Sequence, residues 1–239
     1  MHIWTEMARA STNAGDNIVL CRRREHFEIR FNDAELMASS CHQSEDVLAE
    51  KALRYLGRPA RRVLIGGLGL GYTLRMALNY LDDEAEVIVS ELVPEIVQWN
   101  RQYLGHLADN PLNDPRVEVR IEDVQKTLSR EFGSCDVVLM DTDNGPDQLV
   151  RTENGRLYEE CGLKAVSGAL VADGIAGFWS SERSPMFEMR LSSMPWDWRC
   201  DSIALSGGRI DAFHYLYLAS RTAATFRSPR IVAADPAPG

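Results

Sequence analysis

Hydrophobic and polar positions along this 239-residue chain follow two regimes that change near residue 61. From Asn17 to Arg22 and from His26 to Arg30 they alternate with the period of half-buried strands, with Asn32-Asp33 as a turn and a short extension, Glu35-Leu36-Met37, behind it. Residues 44–56 then carry apolar positions at helical spacing, closed by Gly57 and Pro59. After Arg61 short apolar runs alternate strictly with amphipathic segments: strands at 63–66, 86–90, 117–121, 136–140 and 174–179, and helices at 72–81, 94–104, 124–131 and 155–169. Such alternation predicts an α/β architecture, a doubly wound, mostly parallel sheet with right-handed crossovers. A helix at 186–193 and a strand pair, 199–205 and 214–219, complete seven strands with an antiparallel edge. The expected organisation is a small N-terminal β-hairpin and helix over 1–60, the sheet domain over 61–220, and a flexible tail over 221–239 that is rich in Ala, Pro and Arg.

The first strand of the alternating region runs into Gly66-Gly67-Leu68-Gly69-Leu70-Gly71 before a helix opens at Tyr72. Glycines at such a turn let the backbone pass close to a ligand, and the helix N-terminus offers free N–H donors. A dinucleotide site needs G-x-G-x-x-G for its pyrophosphate. Here Gly67, Gly69 and Gly71 form G-x-G-x-G, and Tyr72 holds the place of the last glycine, which favours a nucleoside without phosphate such as S-adenosylmethionine (AdoMet). The next strand ends in Glu91, twenty positions after Gly71, where an acid accepts hydrogen bonds from ribose hydroxyls. The 61–220 region is therefore expected to be an AdoMet-type, Rossmann-like nucleoside-binding domain.

Composition narrows the partners. Lys plus Arg number 26 against 35 Asp plus Glu, a formal charge of −9, which argues against nucleic acid and anionic membrane and suits a cationic or neutral small substrate. The cluster Arg22-Arg23-Arg24 reads as an exposed strand face. No apolar run is long enough to span a bilayer and the N-terminus lacks a signal-peptide core, so a cytoplasmic protein is expected. Five scattered cysteines without C-x-x-C read as reduced core thiols, and no histidine spacing suggests a metal.

In open α/β sheets ligands bind at the carboxyl ends of the strands, and the remaining candidates lie there. After the third strand, Asp123 can accept from an exocyclic adenine amine while the N–H of Val124 meets a ring nitrogen; equally, Asp123 can N-cap the helix that follows. After the fourth come Asp141, Asp143 and Asp147 around a Gly-Pro turn. An ionised acid at that place can take a proton from an attacking amine and a neighbour can hold the rest of a polyamine-like substrate. For Asp143 and Asp147 an Asx-rich loop is an equal reading. Tyr72 and Trp179 stand where either could wall the pocket, whereas Tyr158 fits core packing. Trp196, Trp198, Phe213, Tyr215 and Tyr217 crowd a short stretch; a homodimer face and a filled core edge stand level.

The order of Gly-rich turn, Glu91, Glu122-Asp123 and Asp141 to Pro146 resembles the spermidine synthase (aminopropyltransferase) branch of the AdoMet-dependent class I methyltransferase fold, over about Ile18 to Trp179. The resemblance is carried most specifically by Val63 to Gly69 with Leu74-Arg75, Ser90 to Val97, Asp136 to Pro146 and Ala169 to Ile175. It implies that Glu91 binds ribose, Asp123 adenine, and Asp141 deprotonates the attacking amine, with Asp143 anchoring substrate. It also implies a homodimer, and that the hairpin with His42-Gln43-Ser44-Glu45 lids the site, which makes His42 and Glu45 substrate-side candidates. Alignment through Leu74-Arg75 puts Leu70 where the family carries an Asp for the aminopropyl amine, and the N-terminal β-domain shrinks to little more than a hairpin. The expected function is a spermidine synthase-like transferase that moves a group from AdoMet or decarboxylated AdoMet, without a metal, to a small-molecule amine. An AdoMet-dependent methyltransferase of specialised metabolism is the alternative, and a non-catalytic nucleoside-binding module stands behind both.

Overall fold

Four strands precede the first helix: Thr5–Ser11 (β1), Asn17–Arg23 (β2), His26–Phe31 (β3) and Ala34–Ala38 (β4), each antiparallel to its neighbour in chain order. The computed structural model describes residues 3–11, 15–32, 34–142, 144–149, 152–205 and 213–222; most of the tail expected beyond residue 220 lies outside them. The expected hairpin is thus the centre of a four-stranded sheet. β1 escaped the periodicity because Ala10 is its one buried residue and a bulge between Glu6 and Ala8 breaks the two-residue repeat. Arg22, Arg23 and Arg24 are exposed, as their place beside a turn suggested.

The helix Gln43–Leu56 (α1) ends at Gly57, whose φ of 70° forms a left-handed cap. The alternating region then builds one seven-stranded sheet from Arg62–Gly66 (β5), Glu86–Glu91 (β6), Val117–Ile121 (β7), Cys135–Met140 (β8), Leu170–Ser180 (β9), Asp197–Ala204 (β10) and Phe213–Ser220 (β11). Its order is β7-β6-β5-β8-β9-β11-β10. β5 to β9 pair in parallel. The antiparallel strand is not the edge: β11 inserts between β9 and β10 and runs against both. All six residues of β8 are buried, as a central parallel strand covered on both faces requires, whereas edge strand β7 keeps exposed positions.

Between the strands lie Tyr72–Asn79 (α2), Pro94–Trp99 (α3), Val124–Arg130 (α4), Glu160–Ala169 (α5) and Pro185–Ser193 (α6). Two expected helices are broken. The 94–104 segment widens into a π-helical turn at Asn100–Leu104, where the Asn100 amide donates to both Ile96 O and Gly69 O. The 155–169 segment is a 3₁₀ turn, Thr152–Tyr158, folded tightly back on α5; a Cβ on Gly162 would stand 2.3 Å from Leu157 O. One continuous core joins the small sheet to the large one: Ile18, Leu20, Ile29 and Phe31 pack in the same cluster as Leu48 of α1, Leu68, Leu70 and the strands β5 and β6. Tyr158 is fully buried; of the aromatic crowd near the chain end Tyr217 is fully buried and Trp196 nearly so, Trp198 and Tyr215 are half-buried and Phe213 is exposed. The thiols depart from the core expectation, because Cys161 is exposed and Cys41 and Cys200 are half-buried.

Asp136, 6% exposed at the foot of β8, ties the sheet to the chain entering it. Its carboxylate accepts the N–H groups of Arg61 at 2.7 Å and Arg62 at 3.0 Å and pairs with the Arg58 guanidinium at 2.7 Å. Asp136→Ala leaves two backbone donors without their acceptor, so stability should fall by about 2–4 kcal/mol in urea unfolding. An unchanged midpoint would remove this carboxylate from the account of the fold.

Candidate active site

The chain order reverses between β5 and β8, and the cleft at their carboxyl ends is the place where open α/β sheets take ligands. Gly66 O accepts from Asp141 N at 2.9 Å, which draws the two strand ends together. Gly67, at φ 90°, then turns so close to β8 that a Cβ would stand 2.0 Å from Asp141 O; no side chain fits. Its own N–H donates to Ser90 O at 2.8 Å, and Gly69 and Gly71 also hold positive φ, of 53° and 88°. The turn thus brings its backbone at Gly67 and Gly69 to the cleft, with Leu68 and Leu70 beside it.

Glu91, ending β6, is locked against this turn. One carboxylate oxygen accepts from Leu68 N at 2.9 Å and the other from Val93 N at 2.8 Å, and the backbone N–H groups of Gly69 and Leu92 also face the carboxylate. Burial raises its pKa, and those N–H bonds pull the other way. Asp123 caps α4 by accepting from Gln125 N at 2.8 Å, and with Val124 it lines the cleft.

Asp141 projects from the end of β8 into the cleft, where its carboxylate accepts from the Thr73 hydroxyl at 2.7 Å. Glu45, from α1, lines the same cleft and accepts from the Ser44 hydroxyl at 2.6 Å. Burial pushes the Asp141 carboxyl up to about 6; burial together with the charge on Asp141 pushes Glu45 up to about 8. The charge on Asp141 makes Glu45 harder to ionise, so the two groups titrate interdependently.

Tyr72 and Trp179 wall the cleft, as their positions suggested. The Trp179 indole N–H is held by Ser44 Oγ at 2.9 Å. His42 stacks on Tyr72, ring centroids 4.0 Å apart, and its imidazole is held by Asp46 at 2.9 Å one helical turn on; it is not among the residues that line the cleft. Asp143 lies outside the described residues. Sequence reasoning missed the parts of Thr73 and Ser44, which hold the two acidic side chains; the lid implied for the N-terminal hairpin is made of Ile18, Phe31, Leu36 and Met37 from the small sheet. The cleft encloses about 1090 Å³ including space open to solvent. Its described wall carries five acidic residues, Glu45, Glu91, Glu122, Asp123 and Asp141, and neither Lys nor Arg. Leu70, 4% exposed, contributes an apolar patch.

Comparison with known proteins agrees with this arrangement. The family profile of the Spermine/spermidine synthase domain matches residues 44–194. Polyamine aminopropyltransferase 2 of Pseudomonas aeruginosa is 27% identical over 175 residues, 71% of this chain and 49% of that protein. A polyamine aminopropyltransferase of Pyrobaculum islandicum is 35% identical over 120 residues, 48% of this chain and 39% of its own length. The chain spans about half the length, or less, of these curated relatives. A spermidine synthase from Thermotoga maritima superposes with a TM-score of 0.74 at 18% identity, covering 92% of this chain and 74% of that one. A spermidine synthase bound to the transition-state analogue AdoDATO gives 0.73 with the same coverage and identity. At that identity the structures speak for the fold; the profile match carries the family, and the chain belongs to the spermine/spermidine synthase domain family.

The acid pair leaves a thermodynamic signature. Both carboxyls titrate higher in the folded chain than the ordinary 3.8 and 4.5, so the folded state binds more protons between these values and the raised ones. Their contribution is complete at acidic pH and is lost as pH rises through about 6 and 8. Glu45→Gln should therefore raise the melting temperature at pH 8.5, by about 2–4 °C for each kcal/mol removed, and change it little at pH 4.5. An equal shift at both pH values would contradict the pairing.

Proposed function

We propose that this protein is an aminopropyltransferase that takes decarboxylated AdoMet as donor and a small polyamine-type amine as acceptor. The observation that carries the reading is Asp141, a raised-pKa carboxylate at the switch-point end of β8, in a cleft whose charged described lining residues are all acidic. Glu91 accepts the donor's ribose hydroxyls, and Asp123 with Val124 N–H takes the adenine edge. The glycine turn lets the thioether segment lie against the backbone. The acceptor nitrogen attacks the aminopropyl carbon beside the sulfonium, the C–S bond breaks with its electron pair passing to sulfur, and methylthioadenosine leaves. Asp141 takes the proton from nitrogen and offsets the ammonium charge as it develops. Most of the rate comes from holding nitrogen and carbon in line.

The same wall bears on the choice of donor. AdoMet would bring a carboxylate among acidic side chains, with no Lys or Arg among the described lining residues to receive it, whereas the decarboxylated donor brings only an ammonium. Leu70 favours the methyltransferase alternative, since it offers no acceptor where the family carries an Asp. Glu45 can take that part from the helix side, and the names of the curated relatives support the aminopropyl reading.

Incubation with decarboxylated AdoMet and a series of diamines should yield methylthioadenosine by mass spectrometry, and AdoMet should not replace it; S-adenosylhomocysteine formed from AdoMet would make the protein a methyltransferase. Asp141→Asn should lower turnover by about two to four orders of magnitude with methylthioadenosine affinity nearly unchanged. Glu91→Ala should weaken methylthioadenosine binding by up to about 3 kcal/mol in calorimetry. Binding of NAD in preference to adenosyl thioethers would overturn the assignment of the cleft.

A further inference from the structure

Of the five acids on the described wall of the cleft, four already have a part. Glu91 is set for the ribose, Asp123 for the adenine edge and Asp141 for the acceptor's proton, while Glu122 is paired with Arg130 at 2.6 Å. Glu45 is left over. Its neighbour Asp46 holds His42 at 2.9 Å and Arg75 at 2.6 Å, so that guanidinium is committed elsewhere. Glu45 itself accepts from the neutral Ser44 hydroxyl at 2.6 Å, and among the described residues no Lys or Arg pairs with it. Ser44 is fully buried, and its oxygen meets the Trp179 indole N–H at 2.9 Å and His214 Nδ1 at 2.8 Å, so the support beneath Glu45 is fixed from β9 and β11. A carboxylate seated this firmly, facing a cleft and lacking a cation, is completed by a cationic ligand.

We infer that Glu45 holds the ammonium at the end of the donor's aminopropyl arm and that donor binding thereby sets the charge of the cleft before the acceptor enters, an inference that rests on the transferase reading and deepens it. The glycine turn carries no charged side chain from Gly66 to Gly71, and Leu68 and Leu70 offer the arm only apolar surface. In the donor the ammonium stands two methylenes beyond the attacked carbon, so it stays near the carboxylate that meets the attacking nitrogen. Glu45 is placed for it: both acids line the cleft, and the charge on Asp141 is felt at Glu45. The acceptor's second amine lies elsewhere, because in-line attack brings the acceptor from the side opposite the sulfur and its chain leads away from the reacting carbon. The contact couples donor binding to ionisation. Burial and the charge on Asp141 push Glu45 up to about 8, so at neutral pH it carries a proton. An ammonium seated on it favours the charged form; the Glu45 O–H bond breaks, the proton passes to solvent water, and an ion pair remains. The groups that bear on Glu45 are Asp141 from β8, Asp46 on its own helix, Tyr72 from α2 and Cys41 just before α1, with His214 of β11 across Ser44. Burial lowers the His214 pKa, so the imidazole brings no charge at neutral pH.

The test compares two ligands on the whole chain by calorimetry: methylthioadenosine, and the adenosyl thioether that carries the aminopropyl arm in place of the methyl group. The wild type should bind the armed thioether about tenfold to a hundredfold more tightly at pH 8.5. That margin should shrink as pH falls to 6, because Glu45 then keeps its proton. Near pH 7 the binding enthalpy of the armed thioether should vary with the ionisation heat of the buffer, showing the release of a proton, whereas methylthioadenosine releases none. Glu45→Gln should abolish the margin and the proton release, leave methylthioadenosine affinity unchanged, and raise the KM for decarboxylated AdoMet by about the factor lost in binding. A margin that survives Glu45→Gln overturns the inference, and a rise in acceptor KM alone would then give Glu45 to the acceptor. Circular dichroism and loss of methylthioadenosine binding identify a Glu45→Gln chain that has failed to fold. The wild-type comparison then decides, since equal affinity for the two thioethers at pH 8.5, or a margin that does not move with pH, overturns the inference. If the wild type binds neither thioether, or makes no methylthioadenosine with any diamine, the transferase reading has failed and the inference falls with it. That result is distinct from an active wild type in which the two thioethers bind alike.

Discussion

The site depends on the contact between Gly67 and the backbone of Asp141. With a 2.0 Å approach from the Cβ position to Asp141 O, only a glycine lets β5 turn away from β8 at this level, and the bond from Asp141 N to Gly66 O fixes the height of that turn. Everything else in the cleft is measured from it. Leu68 N then meets Glu91, Asn100 reaches Gly69 O, and Thr73, on the first turn of the helix that follows, faces the Asp141 carboxylate. A backbone constraint of a few ångströms thus converts four separate strand ends into one site, because parallel strands in register already bring their carboxyl ends to one level.

The second organising fact is electrostatic. Burying carboxylates without cationic partners is costly, and this cleft does so repeatedly. Elsewhere in the molecule the acids are paired: Glu131 with Arg62 and Arg120, Asp114 with Arg116, Asp201 with Lys51 and Arg199. In the cleft Glu91 is supported by backbone N–H groups, Asp141 by Thr73 and Glu45 by Ser44, all neutral donors. Neutral donors orient an acid without cancelling its charge, so the cleft keeps its field for a cationic ligand. The raised pKa values of Asp141 and Glu45 are the visible cost of that choice.

The small N-terminal sheet and α1 complete the site rather than standing apart from it. Ile18, Phe31, Leu36 and Met37 give the cleft an apolar roof, and α1 brings Ser44 and Glu45 to face Asp141. The roof matters to the acids beneath it because excluding water strengthens electrostatic interactions there.

Local patterns in the chain determined much of this. The strand and helix alternation after Arg61 is a matter of which residues must be buried on two faces, and it revealed the parallel sheet; the glycine spacing and the strand-end acids Glu91, Asp123 and Asp141 marked the cleft because topology puts strand ends in one place. What stayed illegible was decided by contacts between distant segments. β1 carries too few buried residues to show a period, and the insertion of β11 between β9 and β10 is a choice of partner that leaves no mark on either strand's own pattern. His42 reads as a site residue by its neighbours in sequence, yet stacking on Tyr72 and a bond to Asp46 turn it out of the wall. Thr73 and Ser44 look like ordinary helix-start residues until folding sets one against Asp141 and the other between Glu45, Trp179 and His214. A sequence records the chemistry each residue can offer; which oxygen meets which nitrogen is fixed only when segments far apart in the chain are packed together.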